Sequence, residues 1–171
     1  SVYAGLSPDG DVPMFVTRCD LGQSWDGAAC TGTRTQSYWN DGSKNWLDTP
    51  LPNCTTNVPN ALAGCITGKS NSAFLNTADS SSAAGTQPHL AAQACESLDA
   101  HGKHDWYLPA HNELFVLRTN RIEIGNFLLS GQWYWSSSEP DVSGGRVIRF
   151  SDGTQLNLSK DLYLFVRCAR R

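Results

Sequence analysis

The amino-acid sequence predicts an α+β fold in which two helices pack on antiparallel sheets and long loops are held by disulfides. Helix-type periodicity is confined to about residues 88–120, whereas residues 131–171 read as strands separated by turns. The six cysteines, an even number, can supply the disulfides. A chain of 171 residues is long enough to bury one core, so we expect a single domain spanning 1–171.

The composition favours an exported protein with a neutral, polar surface. Charged residues make up 17% of the chain, below the roughly 25% of an ordinary soluble protein. The net charge of −3 gives no basic field for nucleic acid, which we exclude as the main partner. The longest apolar run, Leu162 to Val166, is far below the ~18 residues of a membrane helix, so we expect no membrane insertion of this segment. Any signal peptide is expected to be removed or to lie upstream of Ser1.

The cysteine spacing predicts a disulfide framework. None of the cysteines forms the Cys-x-x-Cys pair of a zinc site. Four of them fall into two pairs that each bracket a short span rich in Gly, Asn and Pro, and the other two would join a helix to the last strand. The expected pairs are Cys19–Cys30, Cys54–Cys65 and Cys95–Cys168. Such pairs predict export through an oxidising periplasm and an extracellular or cell-surface location.

The first half of the chain, residues 1–87, is predicted to be loop-rich. Frequent Pro, Gly and Asn interrupt it, so we expect short strands, the first of them at Met14 to Arg18. Segments 38–41 and 45–48 place three aromatic residues in a turn-rich region. Segment 80–85 reads as a connector of small residues.

Two helices are predicted between residues 88 and 120. Pro88 lies in the first turn of the first helix, and apolar residues follow at helical spacing up to Leu98. The second helix should run from about Ala110 to Arg118. Glu113 lies in its first turn, where a carboxylate caps backbone N–H groups, and a catalytic Glu113 is the less favoured alternative.

Residues 131–171 predict an antiparallel sheet. Four strands are expected, at 133–136, 146–150, 154–158 and 162–167, and Asp152-Gly153 is a strong hairpin signal between the second and third. We expect Trp135 to be buried. Trp133 and Tyr134 are candidates for exposed aromatic platforms, with core packing left open for either residue.

Ordered motifs along the chain resemble one bacterial domain family. The motifs are Tyr3-Ala4-Gly5-Leu6-Ser7-Pro8-Asp9-Gly10, Trp106-Tyr107-Leu108-Pro109, Glu113-Leu114, Tyr134-Trp135-Ser136-Ser137-Ser138-Glu139, Phe150-Ser151-Asp152-Gly153 and Val166-Arg167-Cys168-Ala169-Arg170. Together they resemble the family typified by the C-terminal domain of the Legionella collagen-like adhesin, most sharply from about His101 onward. The chain departs from the commoner pattern in the cysteines of its first half, and it lacks collagen repeats, so no oligomeric state is carried over.

The resemblance implies a C-type-lectin-like fold, a surface or appendage location, and binding of glycans or host matrix. We therefore expect an adhesin module, without enzymatic activity, at the tip or end of a pilus or fibre. One alternative is a structural pilin-like or phage-fibre subunit that contacts other subunits. A less favoured alternative is an enzyme related to the formylglycine-generating oxidases, which need a free cysteine pair or a copper site that this sequence does not evidently supply.

We expect the binding face to lie between about Gly131 and Lys160. Sugars present C–H faces that pack on aromatic rings, and their hydroxyls pair with polar groups. Basic residues on one face of the sheet would add an anion site for sulfated or phosphorylated glycans, with scattered solubilising charge as the alternative. The candidate ligand-binding residues are Trp133, Tyr134, Glu139, Asp141, Arg146, Arg149 and Lys160.

Two features raise the question of a metal. Glu139-Pro140-Asp141 resembles the tripeptide of calcium-dependent lectins, but the second ligand segment of those lectins is missing downstream, so calcium at Glu139 and Asp141 is not favoured. His101 and His104, with His111 nearby, lack a metalloprotease spacing, and a polar loop is the simpler explanation. We expect ligand binding without a metal or other cofactor.

Overall fold

The computed structural model describes residues 1–44, 51–55, 62–78 and 88–171. Segments 45–48 and 80–85, singled out above, lie outside the described residues. The elements in chain order are β1 Val2–Ser7, β2 Val12–Val16, β3 Ser24–Trp25, β4 Cys30–Thr31, β5 Gln36–Ser37, α1 Ala63–Ile66, α2 Gly68–Ala78, α3 Leu90–Glu96, α4 His111–Thr119, α5 Arg121–Ile124, β6 Trp133–Trp135, β7 Gly144–Arg149, β8 Gln155–Ser159, β9 Leu164–Phe165 and β10 Ala169–Arg170.

The described strands form three sheets. A three-stranded sheet has the order β1-β2-β10, so strands near the two chain ends pair with the same neighbour, β2. A small hairpin joins β3 to β4. The largest sheet has five strands in the order β5-β9-β6-β7-β8.

The mixed α and β content agrees with the predicted class, but the terminal sheet differs from the prediction. β6 and β9 run parallel, with Tyr134 opposite Phe165, so the sheet is not wholly antiparallel. The reason is topological: β9 lies on the far side of β6 from the β7–β8 hairpin, and the chain must cross over to reach it. β10 then leaves this sheet to pair with β2.

Both predicted helices are present as α3 and α4, but the two-helix count is wrong. α1 and α2 lie in the half that was predicted to be loops, and α5 follows α4. α2 reads GKSNSAFLNTA, in which small and polar residues hide the apolar periodicity. Tertiary contacts stabilise it instead, because Leu75 is buried and the Ser72 hydroxyl donates to the Leu108 carbonyl at 2.9 Å.

Two groups of buried side chains form the core. One lies between the three-stranded sheet, α4 and the five-stranded sheet, which we call the central sheet. It includes Leu114, Leu117 and Phe150. The other lies between α3 and the central sheet, where Trp39 and Trp135 are buried. A Cβ at Gly145 would lie 2.8 Å from the Trp135 ring and 2.9 Å from the Trp39 ring, so a glycine is needed for both rings to pack on β7.

All six cysteines are paired as predicted. The disulfides are Cys19–Cys30, Cys54–Cys65 and Cys95–Cys168. The third joins α3 to the segment before β10 across 73 positions of the chain. In the chain-entropy model, closing so long a loop stabilises the fold by about 4 kcal/mol, against about 3 kcal/mol for each short loop.

Candidate functional site

Four of the predicted ligand-binding residues are buried: Tyr134, Glu139, Arg146 and Lys160 are each at most 4% exposed. Of the two alternatives left open for Tyr134, an exposed platform is therefore excluded and core packing holds. Its hydroxyl donates to the Asp20 carboxylate at 2.8 Å and accepts the Leu128 N–H at 2.8 Å. Burial is the main reason that the pKa of Tyr134 is raised well above its ordinary value. The Tyr134 side chain is therefore part of the core, where its hydroxyl links Asp20 to the backbone of Leu128.

The buried charges are engaged inside the protein. Lys160 forms an ion pair with Glu139, and its ammonium lies 4.7 Å from the centroid of the Trp39 ring. The Arg146 guanidinium donates to the Cys54 carbonyl at 3.1 Å. Because two of its three basic residues point into the protein, the predicted anion site does not form on one exposed face.

The three remaining candidates lie nearer the surface, and neighbouring groups already engage them. The Arg149 guanidinium lies 4.9 Å from the centroid of the half-buried Trp133 ring and binds the exposed Asp152 carboxylate. Asp141 is exposed, and its Oδ1 accepts the backbone N–H groups of Ser143 and Gly144, which closes a turn. These contacts explain the positions of the three side chains, and no ligand is needed to explain them.

Glu113 has the capping role predicted for it. It is fully buried, and its Oε2 accepts the Ala110 N–H at 3.0 Å at the start of α4. Its Oε1 accepts the hydroxyls of Ser7 at 2.6 Å and Tyr107 at 3.0 Å. Burial raises the pKa of Glu113 although these hydrogen bonds oppose the rise. The arrangement fixes α4 against β1.

The histidines do not assemble into one site. Among the residues that the structure describes, no three His, Cys, Asp or Glu side chains lie close enough together to hold a metal ion. His104 is exposed and lies 3.7 Å from Asp99, while His111 is buried and its Nε2 lies 2.9 Å from Gln155 Oε1. Burial lowers the pKa of His111 to about 4, so the ring is neutral at neutral pH.

A different region offers open polar groups in a concave surface. A groove of about 660 Å³ lies between α3 on one side and β5 with Tyr163 on the other. We call it the α3 groove. Its volume falls within the roughly 300–1,000 Å³ typical of small-molecule sites. The described residues that line it are Leu21, Thr35, Gln36, Ser37, Tyr38, Asn76, Leu90, Gln93, Ala94, Glu96, Ser97 and Tyr163.

One wall of the groove is a face of α3. Leu90, Gln93, Ala94 and Ser97 follow the i, i+3, i+4, i+7 spacing of a single helix face. The opposite face carries Ala91, Ala92 and Cys95 into the core. The Ala91 N–H donates to the Tyr38 carbonyl at 2.9 Å, which ties the start of α3 to the residue after β5.

The other wall carries aromatic rings. The Tyr38 and Tyr163 rings lie 4.9 Å apart, and Tyr163 is 49% exposed. The Gln36 amide donates to the Tyr163 carbonyl at 2.7 Å and fixes the backbone beside the ring. An exposed, positioned tyrosine offers an apolar face together with a hydroxyl at its tip.

The polar groups of the groove suit a neutral ligand that is rich in hydroxyls. Among its described lining residues, Glu96 is the one with a formal charge. Asn76 is one of the lining residues, and its Oδ1 is a buried acceptor with no hydrogen-bond partner within the described part of the chain. The other polar lining residues carry amides or hydroxyls, which both donate and accept.

Sequence reasoning missed this groove. The useful signal lay in α3, where the helix face opposite the buried alanines carries Gln93 and Ser97. Tyr38 was noted only as part of a turn-rich aromatic region, and Tyr163 lies about 125 positions away in sequence, so their pairing depends on strand order.

Comparison with known proteins adds no family. A scan against protein-family models finds no match for the chain, and a search of the curated proteins finds none either. Over the described ranges, no helix has both the length and the apolar character needed to cross a membrane.

Proposed function

We propose that this chain is an exported, surface-displayed bacterial adhesin module that binds a neutral glycan in the α3 groove. The observation that carries the proposal is the half-exposed Tyr163 ring facing a helix wall of amide and hydroxyl side chains. Pyranose rings pack their C–H faces on such rings while their hydroxyls exchange hydrogen bonds with amides. The three disulfides support passage through an oxidising compartment.

The expected class of glycan changes with the site. Sulfated or phosphorylated glycans would need a cluster of accessible cations, and Arg146 and Lys160 are buried. Glu96 at the rim of the groove would also repel an anion. A neutral oligosaccharide fits these charges better.

The fold assignment is part of the same proposal. We propose a C-type-lectin-like fold, in which the strands near both chain ends pair within one sheet and helices pack against a central sheet. A pilus or fibre tip is the proposed place of display. The alternative of a structural pilin-like or phage-fibre subunit predicts contacts between subunits and no glycan affinity.

A glycan array with neutral, sulfated and sialylated members tests the function. We expect signal on neutral glycans that persists at high salt, because no charge pair carries the binding. Tyr163→Ala should weaken that signal by about tenfold or more, since truncating a central aromatic contact typically costs over 1 kcal/mol.

The matched control is Tyr3→Ala, which removes a tyrosine that is 55% exposed and lies outside the groove. This variant should bind as the wild type does. Signal restricted to sulfated glycans, or signal unchanged by Tyr163→Ala, would overturn the proposed site. An array without any signal would favour the structural-subunit alternative.

A further inference from the structure

A second cavity lies beside the disulfide-held hairpin of the first half. It measures about 210 Å³, and its walls include Asp20, Gln23, Trp25, Leu98, Asp99 and His101. We call it the Trp25 pocket. One water needs only about 10–15 Å³ of such volume, so the pocket has room for a group the size of one sugar ring.

The pocket is held in place by covalent and aromatic contacts. Trp25 lies on β3 opposite Cys30 on β4, and the Cys19–Cys30 disulfide anchors this hairpin. The Arg18 guanidinium lies 4.8 Å from the centroid of the Trp25 ring, and Arg18 is not among the residues that line the pocket. The ring is therefore supported by a neighbour that leaves the cavity open.

Gln23, one of the residues that line the pocket, carries a buried acceptor that lacks a partner. Gln23 uses its amide N–H to donate to the Gly32 carbonyl at 3.2 Å. Its Oε1 is buried and has no hydrogen-bond partner among the described residues. Such an oxygen favours a ligand that brings an O–H or N–H donor into the cavity.

The charges around the pocket argue against a strongly charged ligand. The Asp20 carboxylate is paired with Arg34 at 2.8 Å and with Arg167 at 2.6 Å. The Asp99 side chain is 71% exposed at the rim, where it would repel an anion. Arg18 beside the ring would repel a cation. A neutral ring with hydroxyl donors remains the best fit.

The Trp25 pocket and the α3 groove adjoin each other. Leu21 lines both cavities. Ser97, directly after α3, lines the groove, and the next residues, Leu98 and Asp99, line the pocket. The two cavities are therefore neighbours, as two subsites for one oligosaccharide would have to be.

We propose that the Trp25 pocket is a second subsite of the glycan-binding surface and takes a further, neutral ring of the oligosaccharide that lies in the α3 groove. This inference rests on the proposed function and deepens it. The ligand is then an oligosaccharide longer than a disaccharide, with Trp25 as the stacking platform and Gln23 Oε1 and Asp99 as hydrogen-bond acceptors.

Calorimetric titration with neutral gluco-, galacto- and N-acetylglucosamine oligosaccharides, from monosaccharide to hexasaccharide, tests this subsite. We expect affinity to rise by about tenfold between the disaccharide and the longer members of the series that binds. Trp25→Ala should abolish that rise and leave disaccharide affinity unchanged. Trp25→Phe, which keeps a ring, should retain most of the rise, and Tyr3→Ala should match the wild type.

Asp99→Ala provides a second variant whose exposed side chain makes few contacts that folding requires. It should weaken only the longer oligosaccharides, by about threefold, because one rim hydrogen bond is lost. Affinity that stops rising at the disaccharide while Tyr163→Ala still weakens binding about tenfold would overturn the second subsite and leave the proposed function standing. Absence of binding to every series would overturn both.

Discussion

The hairpin region, from Trp133 to Lys160, and the surface made by the α3 groove and the Trp25 pocket differ in how their polar groups are used. In the hairpin region, Glu139 and Lys160 neutralise each other, and Arg149 is bound by Asp152. In the groove and the pocket, Asn76 Oδ1 and Gln23 Oε1 have no partner among the described residues. The hairpin region is therefore richer in charged side chains, and other groups of the protein already pair with those charges.

This difference separates structural chemistry from binding chemistry. A buried charge is tolerated only when it is paired and hydrogen-bonded, so a sequence with acids and bases close to a core often encodes such pairs. Binding surfaces instead keep aromatic faces and hydrogen-bonding groups accessible. Among the described residues that line the two cavities, the aromatic side chains are Tyr38, Tyr163 and Trp25, none of which is charged.

The largest expected effect comes from comparing one carboxylate in each region. Glu139→Gln should lower the free energy of unfolding by about 3–5 kcal/mol, because the buried Lys160 ammonium loses the carboxylate that neutralises it. Glu96→Gln should change it by less than about 0.5 kcal/mol, since Glu96 is exposed at the C-terminal end of α3. Urea unfolding of both variants measures the difference, and similar losses in the two would contradict this distinction.

A second prediction concerns pH, because His111 contacts the hairpin region through Gln155. Burial depresses the pKa of His111 from 6.5 to about 4, so its contribution to stability is present above pH 6.5 and is lost as the pH falls toward 4. Between these values the free energy of unfolding should fall by about 3 kcal/mol more in the wild type than in His111→Gln. If the free energy of unfolding fell with pH by the same amount in both proteins, burial would not be holding His111 neutral.

The smallest expected effect is that of calcium on binding. For a calcium ion to use Glu139 and Asp141, the Glu139–Lys160 ion pair and the turn closed by Asp141 would both have to open. We therefore expect a chelator to change oligosaccharide affinity by less than about twofold. The opposite result would be a large loss of oligosaccharide affinity on adding the chelator, with the affinity restored by calcium. If Glu139→Gln also abolished that calcium-dependent affinity while the variant stayed folded, the binding site would lie in the hairpin region.

Much of the fold could be predicted from local signals. The cysteine spacings predicted the disulfide pairs, and Pro88 with the apolar spacing after it predicted α3. α2 could not be predicted in this way, because its residues are mainly small and polar and its helical state depends on packing of Leu75 and Ser72.

The candidate site was harder to predict than the fold. The position of Tyr134 was left open because strand alternation does not say which faces of a sheet are covered. Here both sides of β6 are packed, since Tyr134 and Trp135 are each fully buried. The α3 groove is formed by residues from separate parts of the chain, which the strand order brings together. No local motif marks that arrangement.

The most direct test of where binding occurs is an amide chemical-shift map of the isotope-labelled protein, titrated with the same neutral gluco-, galacto- and N-acetylglucosamine oligosaccharides. If the groove binds glycan, the shifts will cluster at Gln36, Gln93, Ser97 and Tyr163, and the amides of Trp133 and Arg149 will stay unchanged. Shifts confined to Trp133, Arg149 and Asp152, with the groove amides unchanged, would contradict the account.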